Sequence, residues 1–140
     1  MIIAIVQCGS AKAPGACAAE RMYIGSLFVA LARAARRIAN RWYIASAKYG
    51  LLLPSSVIQP YDATLPDGGD LAWGARIRAS LMELEPRGWD ELVALCSRRY
   101  LVGWAHELGA SAPLAGLPIG RMIKAANGLR RSDGQGDSFA

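Results

Sequence analysis

The chain opens with an unbroken apolar run, Met1–Val6, composed mostly of β-branched residues. The run shows no alternation of polar and apolar residues, and it is therefore typical of a strand buried on both faces of a parallel sheet. Two more apolar runs, Trp42–Ser46 and Glu91–Cys96, lie far enough along the chain to leave room for crossover helices. The sequence thus predicts an α/β fold built on parallel strands.

Helical patterns fill the stretches between these runs. The apolar positions within Ser26–Ala39 form one stripe, and Asp70 can cap a second helix that ends near Glu85. Further predicted elements are a short helix over Tyr100–Leu108, a short fourth strand over Ala112–Leu114, a last helix over Ile119–Leu129, and loops over Gln7–Arg21 and Leu51–Gly69. This order predicts a three-layer sandwich with a mainly parallel central sheet of about four strands.

The length and composition favour one domain. The chain has 140 residues, of which 53% are apolar, so it can bury a core of its own. We predict a single domain over residues 1–131 and a flexible tail over residues 132–140. No apolar run approaches the roughly 20 residues that span a bilayer, and the first residues lack the basic flank of a signal peptide. We therefore expect a cytoplasmic protein without a membrane partner.

Cysteine and histidine usage argues against a metal site. The three cysteines are an odd number at unrelated spacings, and the chain has one histidine. This pattern fits neither a disulfide framework nor a zinc site, so we expect reduced thiols, no metal and no cofactor. We interpret His106 as structural, and Cys8 as a small residue in a tight loop rather than as a nucleophile.

Positive charge dominates the chain. The formal net charge is +5, and arginine supplies most of the basic residues. The planar fork of arginine donates two parallel hydrogen bonds to a phosphate. A basic balance favours an anionic partner, although ordinary surface helices explain it equally well.

Ligands of parallel sheets bind beyond the carboxyl ends of the strands. This rule points to three segments, Gln7–Lys12, Ser46–Asp62 and Pro113–Arg121. In the first, a glycine lets the backbone approach an anion and a lysine supplies charge. The third is a stiff turn that opens onto a basic helix, whose amino terminus favours anions. An ordinary turn and a surface arginine are the alternative interpretations.

The second segment carries the most chemistry. Ser46, Lys48 and Tyr49 place a hydroxyl, an ammonium and a phenol at the end of a strand, and Tyr61 and Asp62 add an aromatic face and a carboxylate after a rigid turn. Loop packing would also explain both tyrosines. A turn or cap role is the alternative to catalysis for Asp62.

The same segment carries a family resemblance. The run Trp42–Leu52, continued by Pro60, Tyr61 and Asp62, resembles a small bacterial and phage family related to the YaaA peroxide-stress proteins, which share a Tyr-Gly-Leu-Leu stretch followed by Pro-Tyr. The likeness extends over about residues 1–125 through Cys8–Lys12, Tyr23–Phe28 and Pro113–Gly120. YaaA-type proteins are associated with DNA binding and with protection of DNA under oxidative stress. The resemblance therefore implies a DNA partner, with double-stranded DNA favoured.

A more distant resemblance is to the uracil-DNA glycosylase superfamily. Its members are compact α/β sandwiches, and related anti-phage enzymes remove modified bases from viral DNA. The present sequence lacks an Asp or Asn in the loop after the first strand, and it lacks a late His-Pro-Ser motif. The resemblance implies a DNA glycosylase that excises a base, such as a modified base of phage DNA, and leaves an abasic site.

This chemistry gives each candidate residue a role. A carboxylate near the anomeric carbon stabilises the positive charge that develops on the sugar, and Asp62 is the first choice for it. The residues assigned to a base or nucleotide pocket are Gln7, Cys8, Gly9, Ser46, Tyr49 and Tyr61, and those assigned to phosphates or DNA are Ser10, Lys12, Lys48, Arg121 and Lys124.

Two other functions remain open from the sequence. One is a YaaA-like protein that binds DNA without cleaving it, which needs the basic residues but no exact carboxylate. The other is a hydrolase of free nucleotides, which would use the same pocket. No obligate protein partner is evident in the sequence.

Overall fold

The structure, a computed structural model, describes residues 1–131. Its strands are β1 (Ile2–Gln7), β2 (Cys17–Ala18), β3 (Arg41–Ser46), β4 (Gly50–Leu52), β5 (Val57–Ile58) and β6 (Glu91–Leu95). Its helices are α1 (Ala19–Met22), α2 (Ser26–Ile38), α3 (Leu71–Leu84) and α4 (Ile119–Gly128), with a short 3-10 helix over Arg98–Tyr100. The predicted tail over residues 132–140 lies outside the described residues.

The main sheet has four strands in the order β4-β3-β1-β6. Strand β1 pairs in parallel with β3 on one side and with β6 on the other, while β4 pairs antiparallel with β3. Strands β2 and β5 form a separate antiparallel pair. The predicted α/β fold with a mainly parallel sheet of four strands is therefore confirmed.

The core is built around β1. Ile3, Ala4, Ile5 and Val6 are all 0% exposed, and because successive side chains point to opposite faces, both faces of this strand are covered. Helix α2 packs against β1 and β3, and α4 packs against α2. No helix within residues 1–131 is long and apolar enough to cross a membrane.

The first two long helices follow their sequence signals. Helix α2 ends one residue before the predicted boundary. Asp70 caps α3 as predicted, since its Oδ1 accepts a hydrogen bond of 3.0 Å from the backbone N–H of Trp73. Local signals were sufficient here because capping and amphipathic spacing are properties of the helix itself.

The predicted fourth strand was wrong. Residues 112–114 form no strand, and this region meets the sheet only through a single bridge between Ser111 and Val93. Pro113 lies two residues after Ser111 and has no N–H to extend the pairing. The fourth strand is instead β4, within the predicted loop over residues 51–69, which also contains β5. The predicted loop over residues 7–21 likewise contains β2 and the start of α1.

The predicted helix over residues 100–108 was also wrong. The 3-10 helix over Arg98–Tyr100 is followed by successive turns. Gly103 has a φ of +89°, which a right-handed helix does not allow. Its backbone is pressed against α3, because a Cβ added to Gly74 would lie 2.0 Å from the carbonyl oxygen of Val102. Close packing of two backbones therefore replaced the helix that the local pattern favoured.

This contact predicts a large effect for a small substitution. We expect Gly74→Ala to lower the free energy of unfolding by about 1–3 kcal/mol, because the new methyl group collides with a backbone atom that cannot rotate away. Gly120→Ala in α4 is the matched control, since nothing lies within 4 Å of a Cβ at that position. It should be neutral or stabilising by up to about 1 kcal/mol. Denaturant unfolding of the two variants measures both effects, and equal stability of Gly74→Ala and the unchanged protein would contradict the close approach.

Candidate active site at the carboxyl ends of the parallel strands

A cavity of about 690 Å³ lies beyond the carboxyl ends of β1 and β6. Its wall is formed by residues 7–11, 25–28, 63–64, 97–100 and 117–119, together with Asp67 and Met122. One of these segments continues from β1, one begins α2 and one follows β6, so the sheet topology itself brings them together. The volume falls within the range typical of small-molecule sites.

Two helices begin at the cavity wall. The N-cap residues are Gly25 for α2 and Pro118 for α4, and no side chain caps either helix. The first N–H groups of each helix have no acceptor within their own helix, and they carry the positive end of the helix dipole. Both helix ends therefore favour an anion in or beside the cavity.

Two arginines from the 3-10 helix also line the cavity. Arg99 is already engaged, because it donates to the carboxylate of Asp67 at 2.7 Å and to the carbonyl oxygen of Leu65 at 3.0 Å. Within residues 1–131, the guanidinium of Arg98 has neither a hydrogen bond nor an ion pair. Its guanidinium lies over Gly116, where an added Cβ would be 2.8 Å from Nη2. Arg98 is thus available to a ligand while its position is restricted by packing.

The inner wall of the cavity is neutral and polar. Gln7, at the end of β1, is 8% exposed, and its Oε1 accepts a hydrogen bond of 2.6 Å from the backbone N–H of Ser97. The buried thiol of Cys8 lies 3.5 Å from the hydroxyl of Tyr100 and accepts from the N–H of Ala47 at 3.4 Å. Charge at the site therefore comes from the arginines, from Asp67 and from the helix ends, and not from the ends of the strands.

Behind Cys8 lies a hydrogen-bonded group that we name the tyrosine network, formed by Tyr23, Ser46, Tyr49 and Tyr61. The hydroxyl of Tyr61 lies 2.7 Å from that of Tyr23 and 2.8 Å from Ser46 Oγ. Ser46 Oγ also accepts from the backbone N–H of Tyr49 at 2.9 Å, and the rings of Tyr49 and Tyr61 meet edge to face at 5.5 Å. The network ties the end of β3 to Tyr23 and to the loop that follows β5.

The phenols of this region are held in their neutral form. Burial raises the pKa of Tyr23, of Tyr61 and of Tyr100 above the usual value. The neighbouring Cys8 thiol raises the pKa of Tyr61 and of Tyr100 further. These hydroxyls therefore act at neutral pH as hydrogen-bonding groups and not as bases.

The structure places most of the predicted site residues in two groups that meet at Cys8. Gln7, Cys8, Gly9 and Ser10 line the cavity. Five others belong to the tyrosine network or touch its rings. These are Ser46, Tyr49 and Tyr61, with Lys12 Nζ at 4.4 Å from the ring centroid of Tyr61 and Lys48 Nζ at 5.3 Å from that of Tyr49.

Three predicted residues are exposed and lie outside the cavity wall. Asp62 makes no hydrogen bond or ion pair within residues 1–131, although its neighbours Ala63 and Thr64 line the cavity. Arg121 and Lys124 lie on α4, whose first residue Ile119 reaches the wall. The structure therefore brings none of these three side chains together with Gln7 and Ser10.

Sequence reasoning missed part of the site. Residues 97–100 follow β6, and the rule that ligands bind at the carboxyl ends of parallel strands applies to this strand as it does to β1. The signal was present in the buried run that ends at Cys96. The start of α2 and the exposed Asp67 carried no comparable signal, because their approach to the cavity depends on how distant loops pack. Within the described part of the chain, no group of three metal-ligating side chains occurs.

The raised tyrosine pKa values predict how stability depends on pH. Unfolded tyrosines lose their protons near pH 10, whereas the folded protein retains those of Tyr23, Tyr61 and Tyr100 to higher pH. Unfolding then releases protons, so the free energy of unfolding should be steady below pH 10 and should fall as the pH rises above it. Denaturant titrations between pH 8 and about 11 measure the slope. Tyr61→Phe should show a shallower fall, and an unchanged slope would contradict the assignment.

Comparison with known proteins gives one result. Neither a curated protein nor a solved structure matches the chain significantly. Residues 3–127 match a family of unknown function, and this span includes every strand except the first residue of β1, the whole cavity wall and nearly all of α4. The chain therefore belongs to the family DUF6884.

Proposed function

We propose that this protein is a DNA-acting N-glycosidase, which takes one nucleotide of DNA into the cavity and hydrolyses the bond between its base and its sugar. The observation that carries the proposal is the make-up of the cavity wall: two uncapped helix amino termini, two arginines and Asp67 line the same cavity as a neutral, nearly buried inner wall. A nucleotide has the same division between an anionic phosphate and a neutral base.

The phosphate part of the ligand is matched by Arg98 and by the helix ends. The side chain of Arg98 has no partner within residues 1–131, and a guanidinium binds phosphate through two parallel hydrogen bonds. The amino termini of α2 and α4 add backbone N–H donors with favourable dipoles. Ser10 lies in the same wall and offers a hydroxyl. A phosphate that flanks the extracted nucleotide would be held by these groups.

The base part is matched by the inner wall. Phe28 and Tyr100 supply aromatic surface, and Gln7 supplies an amide. An extracted base needs apolar or aromatic contact to replace the stacking it loses, together with hydrogen-bonding groups at its edge. The cavity wall contains both kinds of group.

The chemical step needs water and a carboxylate. In the proposed reaction, the oxygen of a water molecule bonds to the anomeric carbon, the carbon–nitrogen bond breaks, and the base leaves with the bonding electron pair. The base takes up a proton from solvent and the water loses one. A carboxylate stabilises the positive sugar in between. Asp67 is the carboxylate in the cavity wall, and Asp62 lies five residues away on the same loop.

Several finer features belong to this proposal. Exposed basic side chains outside the cavity, among them Arg33, Arg36, Arg121 and Lys124, would contact the DNA backbone. The resemblance to anti-phage glycosylases suggests a modified base in phage DNA as the substrate. We further propose a three-layer sandwich, since both faces of β1 are covered, and a cytoplasmic location, where the free thiols of Cys8, Cys17 and Cys96 would stay reduced.

A second candidate is a DNA-binding protein without catalysis. The exposure of both loop carboxylates favours it, because catalytic carboxylates are commonly enclosed with their substrate, and Asp67 is 97% exposed. A hydrolase of free nucleotides would use the same cavity without the outer basic residues.

Base release from DNA tests the proposal. The purified protein is incubated with DNA from unmodified and base-modified phages, and mass spectrometry identifies any released base. We expect release by the unchanged protein and a loss of about a hundredfold or more in Asp67→Asn, because a neutral amide stabilises the sugar cation poorly. Glu83→Gln, an exposed change of the same charge on α3, is the matched control.

The outcomes separate the two carboxylates and the two functions. Loss in Asp62→Asn alone would assign the role to Asp62, as the sequence first suggested. No release from any DNA, with binding retained in all variants, would replace the glycosidase by the DNA-binding protein.

Salt dependence tests the phosphate contact. Arg98→Ala should weaken DNA binding and reduce the slope of log K against log salt concentration by about 1, because one phosphate contact is lost. Arg87→Ala is the control, since Arg87 is exposed between α3 and β6, near the amino ends of the parallel strands. Equal slopes for both variants would show that Arg98 does not reach the DNA.

A further inference from the structure

The amide of Gln7 has a determined orientation. Gln7 is the last residue of β1, and its side chain accepts a hydrogen bond of 2.6 Å from the backbone N–H of Ser97. A backbone N–H can only donate, so the amide oxygen must face Ser97 and the NH₂ group must point elsewhere. The pairing of β1 with β6 brings residue 97 beside residue 7 and holds this arrangement.

The NH₂ group of Gln7 has no acceptor within residues 1–131. The same part of the chain contains no fully enclosed side-chain nitrogen or oxygen without a partner, so this nitrogen must have access to solvent. Gln7 is only 8% exposed and lines the cavity, which makes the cavity the place where that access lies. A nearly buried donor is thus presented to whatever occupies the inner wall. Such a donor costs free energy when a ligand fails to accept from it.

We infer that Gln7 determines which bases the protein accepts: its NH₂ group donates to a carbonyl oxygen, so the cavity selects bases with a keto group over bases with an amino group at the same position. This inference rests on the proposed nucleotide cavity. A keto oxygen accepts from the NH₂, whereas an amino group would place donor against donor. Sites built to pair with one polar group reject ligands that lack it strongly, because their own group is left unpaired.

The position of Gln7 favours a base over a phosphate as its partner. Gln7 carries no charge, and the inner wall around it is formed by the thiol of Cys8 and the phenol of Tyr100. The cationic groups come from Arg98 and Arg99, and the helix ends supply further donors. A phosphate would bind these cationic groups and helix ends rather than the low-charge inner wall. The base would then lie beside the amide of Gln7.

Binding measurements with matched nucleotides test the inference without requiring cleavage. Two pairs of nucleotides are compared, dUMP with dCMP and dIMP with dAMP. In each pair the first member has a keto group and a protonated ring nitrogen where the second has an amino group and an unprotonated ring nitrogen. Calorimetry should show tighter binding of the keto member of each pair by about tenfold, the factor expected of one hydrogen bond gained against one donor left unpaired.

Gln7→Glu is the first variant. It keeps an oxygen for the N–H of Ser97 and replaces the NH₂ donor by an oxygen of nearly the same size. We expect the keto preference to disappear or to reverse in favour of dCMP and dAMP. Circular dichroism checks that the variant is folded.

Ser97→Pro is the second variant, and it leaves Gln7 itself unchanged. Ser97 has a φ of −76°, which proline adopts readily, but proline has no N–H to hold the amide oxygen. The amide can then rotate to present either end. We expect the keto preference to fall towards unity, while the affinity for inorganic pyrophosphate, which measures the anion-binding groups alone, stays the same.

The possible outcomes are distinct. A keto preference that both variants remove supports the inference, even if no DNA releases a base and the glycosidase proposal fails. Nucleotide binding without keto preference overturns the inference and leaves the glycosidase proposal standing. Weaker binding of all four nucleotides and of pyrophosphate in Gln7→Glu, with the ratios unchanged, would place the amide on the phosphate and overturn the inference. Failure of the unchanged protein to bind any of the nucleotides would also overturn it.

Discussion

The complete burial of β1 is the constraint on which the rest of the structure depends. Its residues Ile3 to Val6 are 0% exposed, and both of its edges are paired with parallel strands. Parallel pairing cannot be made by a tight hairpin, so each neighbour requires a crossover connection. The segments that leave β1 and β6 and the segment that enters α2 must then meet at one end of the sheet. The cavity is a consequence of that geometry.

Polar side chains are paired in different ways at the two ends of the sheet. Near the amino ends, charged pairs predominate: Glu85 binds Arg41 and Tyr43, and the terminal amine binds Asp90. Burial and the adjacent Glu85 raise the pKa of Tyr43 to about 12. At the carboxyl ends, neutral phenols, a hydroxyl and a thiol satisfy one another. The helix ends, the arginines and Asp67 therefore set the electrostatic character of the cavity.

In the loop that follows β3, the residues with the most reactive side chains are not the ones that reach the cavity. The sequence concentrates polar residues between Ser46 and Asp62, yet the structure uses Ser46, Tyr49 and Tyr61 mainly to hold the loop in place. The next residues along this loop, Ala63, Thr64 and Asp67, are the ones that reach the cavity wall. A tightly bonded support beside a more exposed rim is a common arrangement for binding sites, because the support positions groups that must remain accessible.

The sequence by itself determined the elements whose signals are local. The apolar run of β1, the stripe of α2 and the Asp70 cap of α3 could be predicted because each depends on residues a few positions apart. Only the tertiary structure decided that β4 and not residues 112–114 completes the sheet, that Gly103 against Gly74 excludes a helix, and that Ser97 orients Gln7. Those outcomes depend on contacts between segments far apart in the chain, where close packing overrides local preference.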